Sequence, residues 1–176
     1  TKKVKKLKKK KRRLQRKVSR KYLKNKKGES YCKTCNIIKS ERQLLKVTHT
    51  LTNIRRNHIH QMTSKIVNRK PKFITIEDLN VMGMMKNKHL SQAIQEQCFY
   101  EVRRQLEYKS KRNSIVLRIA NRFYPSSKLC SYCGNVKKDL KLKDRIYYCD
   151  KCKHTIDRDY NASINLKDCE DYTYIA

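Results

Sequence analysis

Four cysteines in the last third of the chain are spaced to bind one metal ion. Cys130 and Cys133 form a C-x2-C pair, and Cys149 and Cys152 form a second pair after fifteen intervening residues. Each pair presents two thiolates from one tight turn, and Gly134 favours such a turn after the first pair. Four thiolates complete the closed tetrahedral shell that zinc prefers, which leaves no open position for catalysis. The spacing therefore predicts a structural zinc ribbon, with an iron–sulfur centre, two disulfides or free thiols as alternatives.

The other four cysteines have no such arrangement. Cys32 and Cys35 form a lone C-x2-C pair, which cannot close a metal site without further ligands. Cys98 and Cys169 are isolated in the sequence, and we expect them to pack as small apolar residues. Three histidines are the candidates for completing a second zinc site with the lone pair: His49, His58 and His60.

A few carboxylates in this basic chain suggest a second kind of metal chemistry. Glu77 ends a strand-like segment, and Asp157 and Asp159 precede a helix-like one. Phosphoryl-transfer nucleases hold magnesium with acids at such positions, and two cations stabilise the attacking and leaving oxygens of a phosphodiester. The ordinary alternatives are a helix N-cap for Asp157 or Asp159 and an ion pair for Glu77. Taken alone, these residues favour the ordinary alternatives.

The charge of the chain indicates a polyanionic partner. The formal net charge is +31, from 46 Lys and Arg against 15 Asp and Glu. A domain this basic repels itself unless a polyanion neutralises it, and nucleic acid is favoured over an anionic membrane or a solubilising tail. Many basic residues are alternatively solvated helix faces. We expect phosphate contacts mainly from Arg12, Arg13, Arg16, Arg20, Lys21, Arg55, Arg56, Arg103 and Arg104.

The sequence gives no sign of a membrane or secreted protein. No apolar run approaches the ~20 residues that a membrane helix requires, and the N-terminus lacks the apolar segment of a signal peptide. Eight cysteines in such a chain favour metal ligands over disulfides. We therefore expect an intracellular location, in the cytoplasm and nucleoid or in the nucleus of a eukaryotic host. The chain starts at Thr1 rather than Met, which suggests a fragment.

The elements that must position these residues follow from hydrophobic periodicity. Apolar residues at steps of three and four predict amphipathic helices, and short runs of β-branched and aromatic residues predict strands. For the longest helix the pattern places Leu44, Val47, Leu51, Ile54, His58, Met62 and Ile66 on one face. In chain order we expect a basic helix or disordered arm at 1–27, a break at 28–40, a helix at 41–69 ended by Pro71, a buried strand at 72–77, a Met-rich turn with Gly83, a helix at 90–110, a strand at 114–120 and a helix at 159–167.

Three segments together resemble a known family. Residues 76–81 are I-E-D-L-N-V, residues 124–127 are Y-P-S-S before the first cysteine pair, and residues 157–162 are D-R-D-Y-N-A. Their order and spacing resemble the RuvC-like half of the TnpB/OrfB transposon-associated proteins, relatives of the type V CRISPR effectors. The resemblance covers nearly all of the chain, including basic residues within 14–21.

The resemblance implies an α/β fold, a partial RNase H-like (RuvC) domain with a zinc ribbon inserted before its last helix. It implies RNA-guided cleavage of DNA by magnesium ions held by three acids. Glu77 matches the second acid and Asp159 the third, with the neighbouring Asp157 as second choice. The implied partners are DNA and a guide RNA. The expected organisation is a basic arm with the lone cysteine pair at 1–40, a RuvC-like core at 41–125, the ribbon at 126–156, and the last helix with a tail at 157–176.

One departure from the family bears on activity. The first acid of the family lies on an early strand in a D-x-G setting, whereas this chain has no Asp before Asp78 and no such strand. Losing a carboxylate shared by both metal ions is expected to cost orders of magnitude in rate. We therefore expect an N-terminally truncated or degenerate DNA-binding protein of DNA transposition and recombination, inactive as an endonuclease on its own. The alternatives are a non-catalytic zinc-ribbon nucleic-acid-binding protein and a ribosomal-type structural protein.

Overall fold

The computed structural model describes residues 2–141 and 143–175, and it confirms a mixed α/β chain. Thr1 and Ala176, at the ends of the expected organisation, and Leu142 of the expected ribbon lie outside the described residues. The chain divides into two units, Thr1–Met62 and Thr63–Ala176. Within the described residues, no helix combines the length and the apolarity needed to cross a bilayer.

The first unit contains two packed helices and a small hairpin. Helix α1 spans Lys2–Lys24, and strands β1 (Lys26–Lys27) and β2 (Ser30–Tyr31) pair antiparallel across a turn in which Gly28 has a φ of +59°. Helix α2 begins at Cys35. The N-terminal run is therefore a helix packed against α2 and not a disordered arm. The apolar contact between the two helices joins Val4, Leu7, Leu14, Leu44, Val47 and Leu51.

Helix α2 (Cys35–Val67) starts before the predicted residue 41 and ends ahead of Pro71, as predicted. The predicted face is wrong toward its C-terminal end, where Ile59 is buried and His58 is exposed. Many of the buried positions are four residues apart, so the buried side turns about the helix axis by about 40° per step. These positions are Val47, Leu51, Ile59, Thr63 and Val67.

The second unit is built on a three-stranded sheet of order β3-β4-β7, with β3 at one edge. Strands β3 and β4 are parallel with Glu77 opposite Ala120, and β4 and β7 are antiparallel. The predicted buried strand is therefore a half-buried edge strand, because among the described residues β3 pairs with β4 alone. In chain order the elements are β3 (Phe73–Glu77), α3 (Val81–Met85), α4 (Ser91–Gln97), α5 (Phe99–Arg112), β4 (Val116–Ala120), β5 (Ile146–Tyr148), β6 (Thr155–Asp157), α6 (Arg158–Lys167) and β7 (Tyr172–Ile175).

Two local features differ from the sequence prediction between β3 and β4. The Met-rich turn is the short helix α3, whose N-cap Asn80 accepts the N–H of Gly83 at 2.9 Å. A Cβ at Gly83 would lie 2.6 Å from the Asn80 amide nitrogen, so this cap requires glycine. The predicted helix at 90–110 is interrupted at Cys98, which has a left-handed φ of 53° and separates α4 from α5.

Helix α5 is held by polar contacts to α2 and by apolar contacts to the sheet. Lys109 donates to Thr63 Oγ1 at 2.7 Å, Thr63 donates to Gln105 Oε1 at 3.0 Å, and both Thr63 and Gln105 are fully buried. Burial lowers the pKa of Lys109. The apolar core holds α5 over one face of β3 and β4, and it consists of Ile66, Val67, Ile74, Ile76, Val102, Leu106, Ile115 and Leu117.

Candidate metal centre and acidic groove

Two similar turns present the four cysteines of the predicted ribbon. In the first turn the N–H of Gly134 donates to Cys130 O at 2.9 Å, and Gly134 has a φ of +71°. In the second, which follows β5, the N–H of Lys153 donates to Cys149 O at 2.9 Å, and Lys153 has a φ of 61°. Each turn folds back on its own first cysteine, so the two thiols of a C-x2-C pair point to one place.

The thiol sulfurs are arranged as a metal requires. All four Sγ atoms lie within 4.8 Å of one another, with Cys130 to Cys152 at 3.7 Å and Cys133 to Cys149 at 3.5 Å. Tetrahedral zinc with Zn–S bonds of roughly 2.3 Å requires sulfurs roughly 3.8 Å apart. The donor set and its spacing therefore fit a structural zinc, and no disulfide joins these cysteines.

Backbone donors and neighbouring sulfurs set the acidity of the thiols. The N–H of Cys152 donates to Cys149 and lowers the pKa of its thiol to about 6, with help from the N–H of Lys151. Cys152 receives the N–H of His154, which lowers its pKa, but burial and the adjacent sulfurs outweigh this and raise it to about 12. The Cys152 thiol therefore resists ionisation beside the other sulfurs, and a divalent cation would remove that resistance because it stabilises thiolates.

A single tyrosine forms the centre of the ribbon. Tyr147 has 0% exposure and its hydroxyl donates to Lys128 O at 3.1 Å. Burial raises the pKa of Tyr147 to about 12. Tyr132 lies in the first turn with 77% exposure, and its ring stacks on His154 at 5.6 Å between centroids. The two tyrosines thus differ in role, one internal and one on the surface.

The lone cysteine pair gains no further ligand. Cys32 and Cys35 are exposed, and in residues 2–141 and 143–175 the single group of three or more metal-ligating side chains is the four-cysteine cluster. The histidines proposed for a second zinc site therefore do not complete one. Cys169 is buried as expected, and its thiol donates to Asp171 O at 3.3 Å. Cys98 is half-buried.

The predicted acids have different surroundings. Glu77 ends β3 and accepts a 2.6 Å hydrogen bond from Ser126 Oγ. Asp159 lies in the first turn of α6, where its carboxylate is 73% exposed and 3.8 Å from the Arg145 guanidinium. Asp157 is the N-cap of α6, because its Oδ1 accepts the N–H groups of Asp159 and Tyr160, both at 3.0 Å.

Glu77 and Asp159 line one groove of about 800 Å³, and Asp157 is outside its lining. The groove lies at the C-terminal end of β3, where Ile76 and Glu77 line it, and most of its remaining lining is apolar. Beside it, Asp78 binds Arg122 at 2.6 Å and approaches Arg103 at 3.7 Å, so this carboxylate is used for ion pairs. The apolar lining comes from β3, α5 and α6 and includes Ile76, Phe99, Val102, Leu106, Ala162 and Leu166.

The residues predicted to contact phosphates fall into two groups. Arg12, Arg13, Arg16 and Arg20 are exposed on α1, where a groove of about 360 Å³ is lined by six basic side chains. Three of the others already have partners on the protein. Lys21 donates to Asn36 O at 2.7 Å, Arg103 pairs with Glu107 at 3.0 Å, and Arg104 pairs with Glu101 at 2.8 Å. Arg55 and Arg56 lie on α2.

Three residues next to the acids carry roles that the sequence did not assign. Ser126 binds Glu77, and Asn161 and Asn165 are buried polar residues of α6. All three belong to segments that carried the family resemblance, Y-P-S-S and D-R-D-Y-N-A with its continuation. Their place in these segments was the signal in the sequence, but it did not indicate which residues they contact.

The chain is similar to known proteins over most of its length. A family profile described as "Cas12f1-like, TNB domain" matches residues 99–166. A Streptomyces pristinaespiralis protein named "Putative RNA-guided DNA endonuclease" is 36% identical over 133 residues, which are 76% of this chain and 33% of that protein. The chain spans about a third of the length of the curated relatives it matches.

Two cryo-EM structures have a similar fold. One, described as a CRISPR-Cas12f ternary complex, matches with a TM-score of 0.63 and 21% identity over 90% of this chain and 31% of that one. The other, described as a Cas12f1-sgRNA-target DNA complex, matches with a TM-score of 0.58 and 21% identity over 72% of this chain and 37% of that one. At these identities the similarity concerns the fold, which is a mixed α/β arrangement like that of Cas12f.

Proposed function

Because the chain is a relative of the TnpB and Cas12f proteins, we propose that it forms the RuvC-like, metal-binding part of an RNA-guided DNA endonuclease. The observation that carries the proposal is the groove lined by both Glu77 and Asp159. The two acids come from elements far apart in sequence, a strand end and the first turn of a helix. Convergence of such acids on one open groove is what a metal-dependent nuclease requires.

The two carboxylates suit hard divalent cations. Carboxylate oxygens are the ligands that Mg²⁺ prefers, and both acids are accessible from solvent, so the donor set fits magnesium. When bound, such ions stabilise the attacking and leaving oxygens of the phosphodiester. Asp157 is already occupied as the N-cap of α6, which favours Asp159 as the ligand from this turn.

The edge of β3 is the place for a third carboxylate. An unpaired strand edge presents backbone N–H and C=O groups that accept another strand. The groove lies at the C-terminal end of β3, where Ile76 and Glu77 line it together with residues of α5 and α6. We assign the first acid of the family to a strand bound there. These 176 residues contribute two acids, and we expect them to bind divalent metal without cutting DNA efficiently on their own.

The remaining parts of the chain bind nucleic acid in this proposal. Zinc in the four-cysteine cluster holds the ribbon folded, since four thiolates leave no position for substrate. The exposed arginines of α1 neutralise phosphates of DNA or of a guide RNA without selecting a sequence. We propose, from the family resemblance of its motifs, that the chain is part of a transposon-associated protein.

The proposal is tested by binding of Mn²⁺, a paramagnetic substitute for Mg²⁺, to the zinc-loaded chain. We expect Glu77→Ala and Asp159→Ala each to weaken the tightest Mn²⁺ site by at least about tenfold, because each removes a ligand. The matched control is Asp139→Ala, which removes an exposed acid of the ribbon. Calorimetry and electron paramagnetic resonance provide the measurement.

Equal Mn²⁺ affinity in Glu77→Ala, Asp159→Ala and wild-type chains would contradict the proposal. It would favour the non-catalytic alternative, a zinc-ribbon nucleic-acid-binding protein. The specific observation behind that alternative is the basic groove on α1, together with the pairing of Asp159 with Arg145. In that case DNA binding would persist in both variants, Asp159 would serve only in its ion pairs, and Glu77 only in its hydrogen bond with Ser126.

A further inference from the structure

Ser126 is built into the molecule in a way that fixes the Glu77 carboxylate. Its side chain is nearly buried at 6% exposure, and its hydroxyl donates to Glu77 Oε1 at 2.6 Å. Its own backbone is held as well, because its N–H donates to Tyr124 O at 2.8 Å and its carbonyl accepts Asn165 Nδ2 at 2.7 Å. The donor to Glu77 therefore has a fixed position.

Two asparagines of α6 connect this serine to the first cysteine turn. Asn165 donates both to Ser126 O and to Leu129 O at 2.7 Å. Asn161 donates to Leu129 O at 2.7 Å and accepts the N–H of Ser131 at 3.0 Å. The asparagines have 0% and 4% exposure and are four residues apart, so they share one face of the helix. We name this pair the asparagine clamp.

The clamp forms a continuous path from the metal cluster to both acids. Ser131 lies inside the turn between Cys130 and Cys133, and the path runs from it through α6 to Ser126 and Glu77. The helix that carries the clamp also carries Asp159 in its first turn. These hydrogen bonds tie the position of α6 to the first cysteine turn, because buried polar groups left without partners are costly.

We infer that Ser126 is a positioning residue for Glu77, and that the asparagine clamp transmits zinc binding in the ribbon to the geometry of the acidic groove. The inference rests on the proposed function of Glu77 and Asp159 as ligands of divalent metal. A free glutamate side chain loses several rotamers when it binds a cation, whereas one held by Ser126 has lost them already. Pre-ordering of this kind raises metal affinity without any direct contact between Ser126 and the metal.

The first experiment compares the Mn²⁺ affinity of the full zinc-loaded chain with that of variants that remove or keep the Ser126 hydroxyl. We expect Ser126→Ala to weaken Mn²⁺ binding by about tenfold, the size set by re-ordering one long side chain. Ser126→Thr keeps a hydroxyl and should recover much of the affinity. Ser127→Ala, at the adjacent half-buried serine, is the matched control and should bind as the wild type does. A packing role alone would not produce the difference between alanine and threonine.

The second experiment tests the path through the clamp. Zinc is removed by chelation, the chelator is dialysed away, and Mn²⁺ binding is then measured. Only the part of that binding which is absent from the Glu77→Ala variant is counted. We expect zinc removal to weaken Mn²⁺ binding of the wild type. In the Asn161→Ala/Asn165→Ala variant, which retains its cysteines, binding should already be weak and insensitive to zinc. If that variant fails to fold, the Ser126 series and zinc removal from the wild type still decide the question.

The outcomes separate this inference from the proposed function. Wild-type affinity in Ser126→Ala, with affinity lost in Glu77→Ala, would overturn the role of Ser126 and leave the proposed function intact. Unchanged Mn²⁺ affinity of the wild type after zinc removal would overturn transmission through the clamp. Unchanged affinity in Glu77→Ala would overturn the proposed function and this inference together.

Discussion

The cysteine cluster and the acidic groove differ in how the chain assembles them. The cluster takes its four ligands from two turns of one small ribbon, and its sulfurs already lie within 4.8 Å of one another. The groove takes Glu77 and Asp159 from different elements of the fold, the end of β3 and the first turn of α6. A site made of local ligands is complete when its hairpin folds, whereas a site made of distant ligands depends on every element between them.

The largest expected effect is the loss of the cluster itself. A Cys133→Ser/Cys149→Ser variant removes two of four thiolates, and we expect it to lose its zinc and to unfold the ribbon, because structural zinc supplies folding energy directly. Metal analysis and circular dichroism measure both changes. Cys32→Ser/Cys35→Ser is the matched control, since that exposed pair meets no further ligand within the described part of the chain. Zinc lost from the Cys32→Ser/Cys35→Ser variant but retained by the Cys133→Ser/Cys149→Ser variant would reverse the assignment.

The next effect concerns the apolar support of the cluster. Tyr147→Ala should destabilise the ribbon by about 3–5 kcal/mol, as for other fully buried aromatic residues, because it leaves a cavity and removes the hydroxyl that bonds the Lys128 and Asn135 carbonyls. Tyr132→Ala at the exposed ring should change stability by no more than about 0.5 kcal/mol. The measurement is the temperature at which each variant releases its zinc. Equal decreases of that temperature in both variants would show that the ribbon does not depend on the buried Tyr147.

A smaller effect distinguishes the two aspartates at the start of α6. Asp157→Ala should lower stability by about 1 kcal/mol through the loss of the N-cap, while Asp157→Ser should restore it. Neither change should weaken the Mn²⁺ site that depends on Glu77, because Asp157 does not line the groove. Loss of that site in both Asp157 variants would make Asp157, the second choice from the sequence, the true ligand in place of Asp159.

The sequence predicted the cluster better than the groove because the ligands of the cluster are local and those of the groove are distant. Two C-x2-C pairs specify their own geometry within a few residues each, so spacing alone was enough. Glu77 and Asp159 needed a family resemblance, since nothing near either residue indicates the other. The role of Ser126 could not be predicted, because its partner lies 49 residues away and contact depends on the packing of α6 beside β3.

The elements of the fold show the same limit. The strands ending at Glu77 and Ala120 follow from short β-branched runs, and they are where the sequence placed them. The break at Cys98 has no such signal, because a left-handed conformation in a residue other than glycine is imposed by tertiary packing. Strand β7 was not predicted either, since its formation depends on the edge offered by β4.

The sequence separations in the ribbon also bear on the order in which the molecule folds. The farthest cysteine pair is 22 residues apart, whereas Glu77 meets Ser126 across 49. Loop-closure entropy grows with that separation, and local contacts generally form faster. We therefore expect the nascent ribbon to capture its metal early and to offer Leu129 and Ser131 as a finished template on which α6 docks. The acids would then come together late, so that an unfinished molecule holds no divalent cation beside a polyanion.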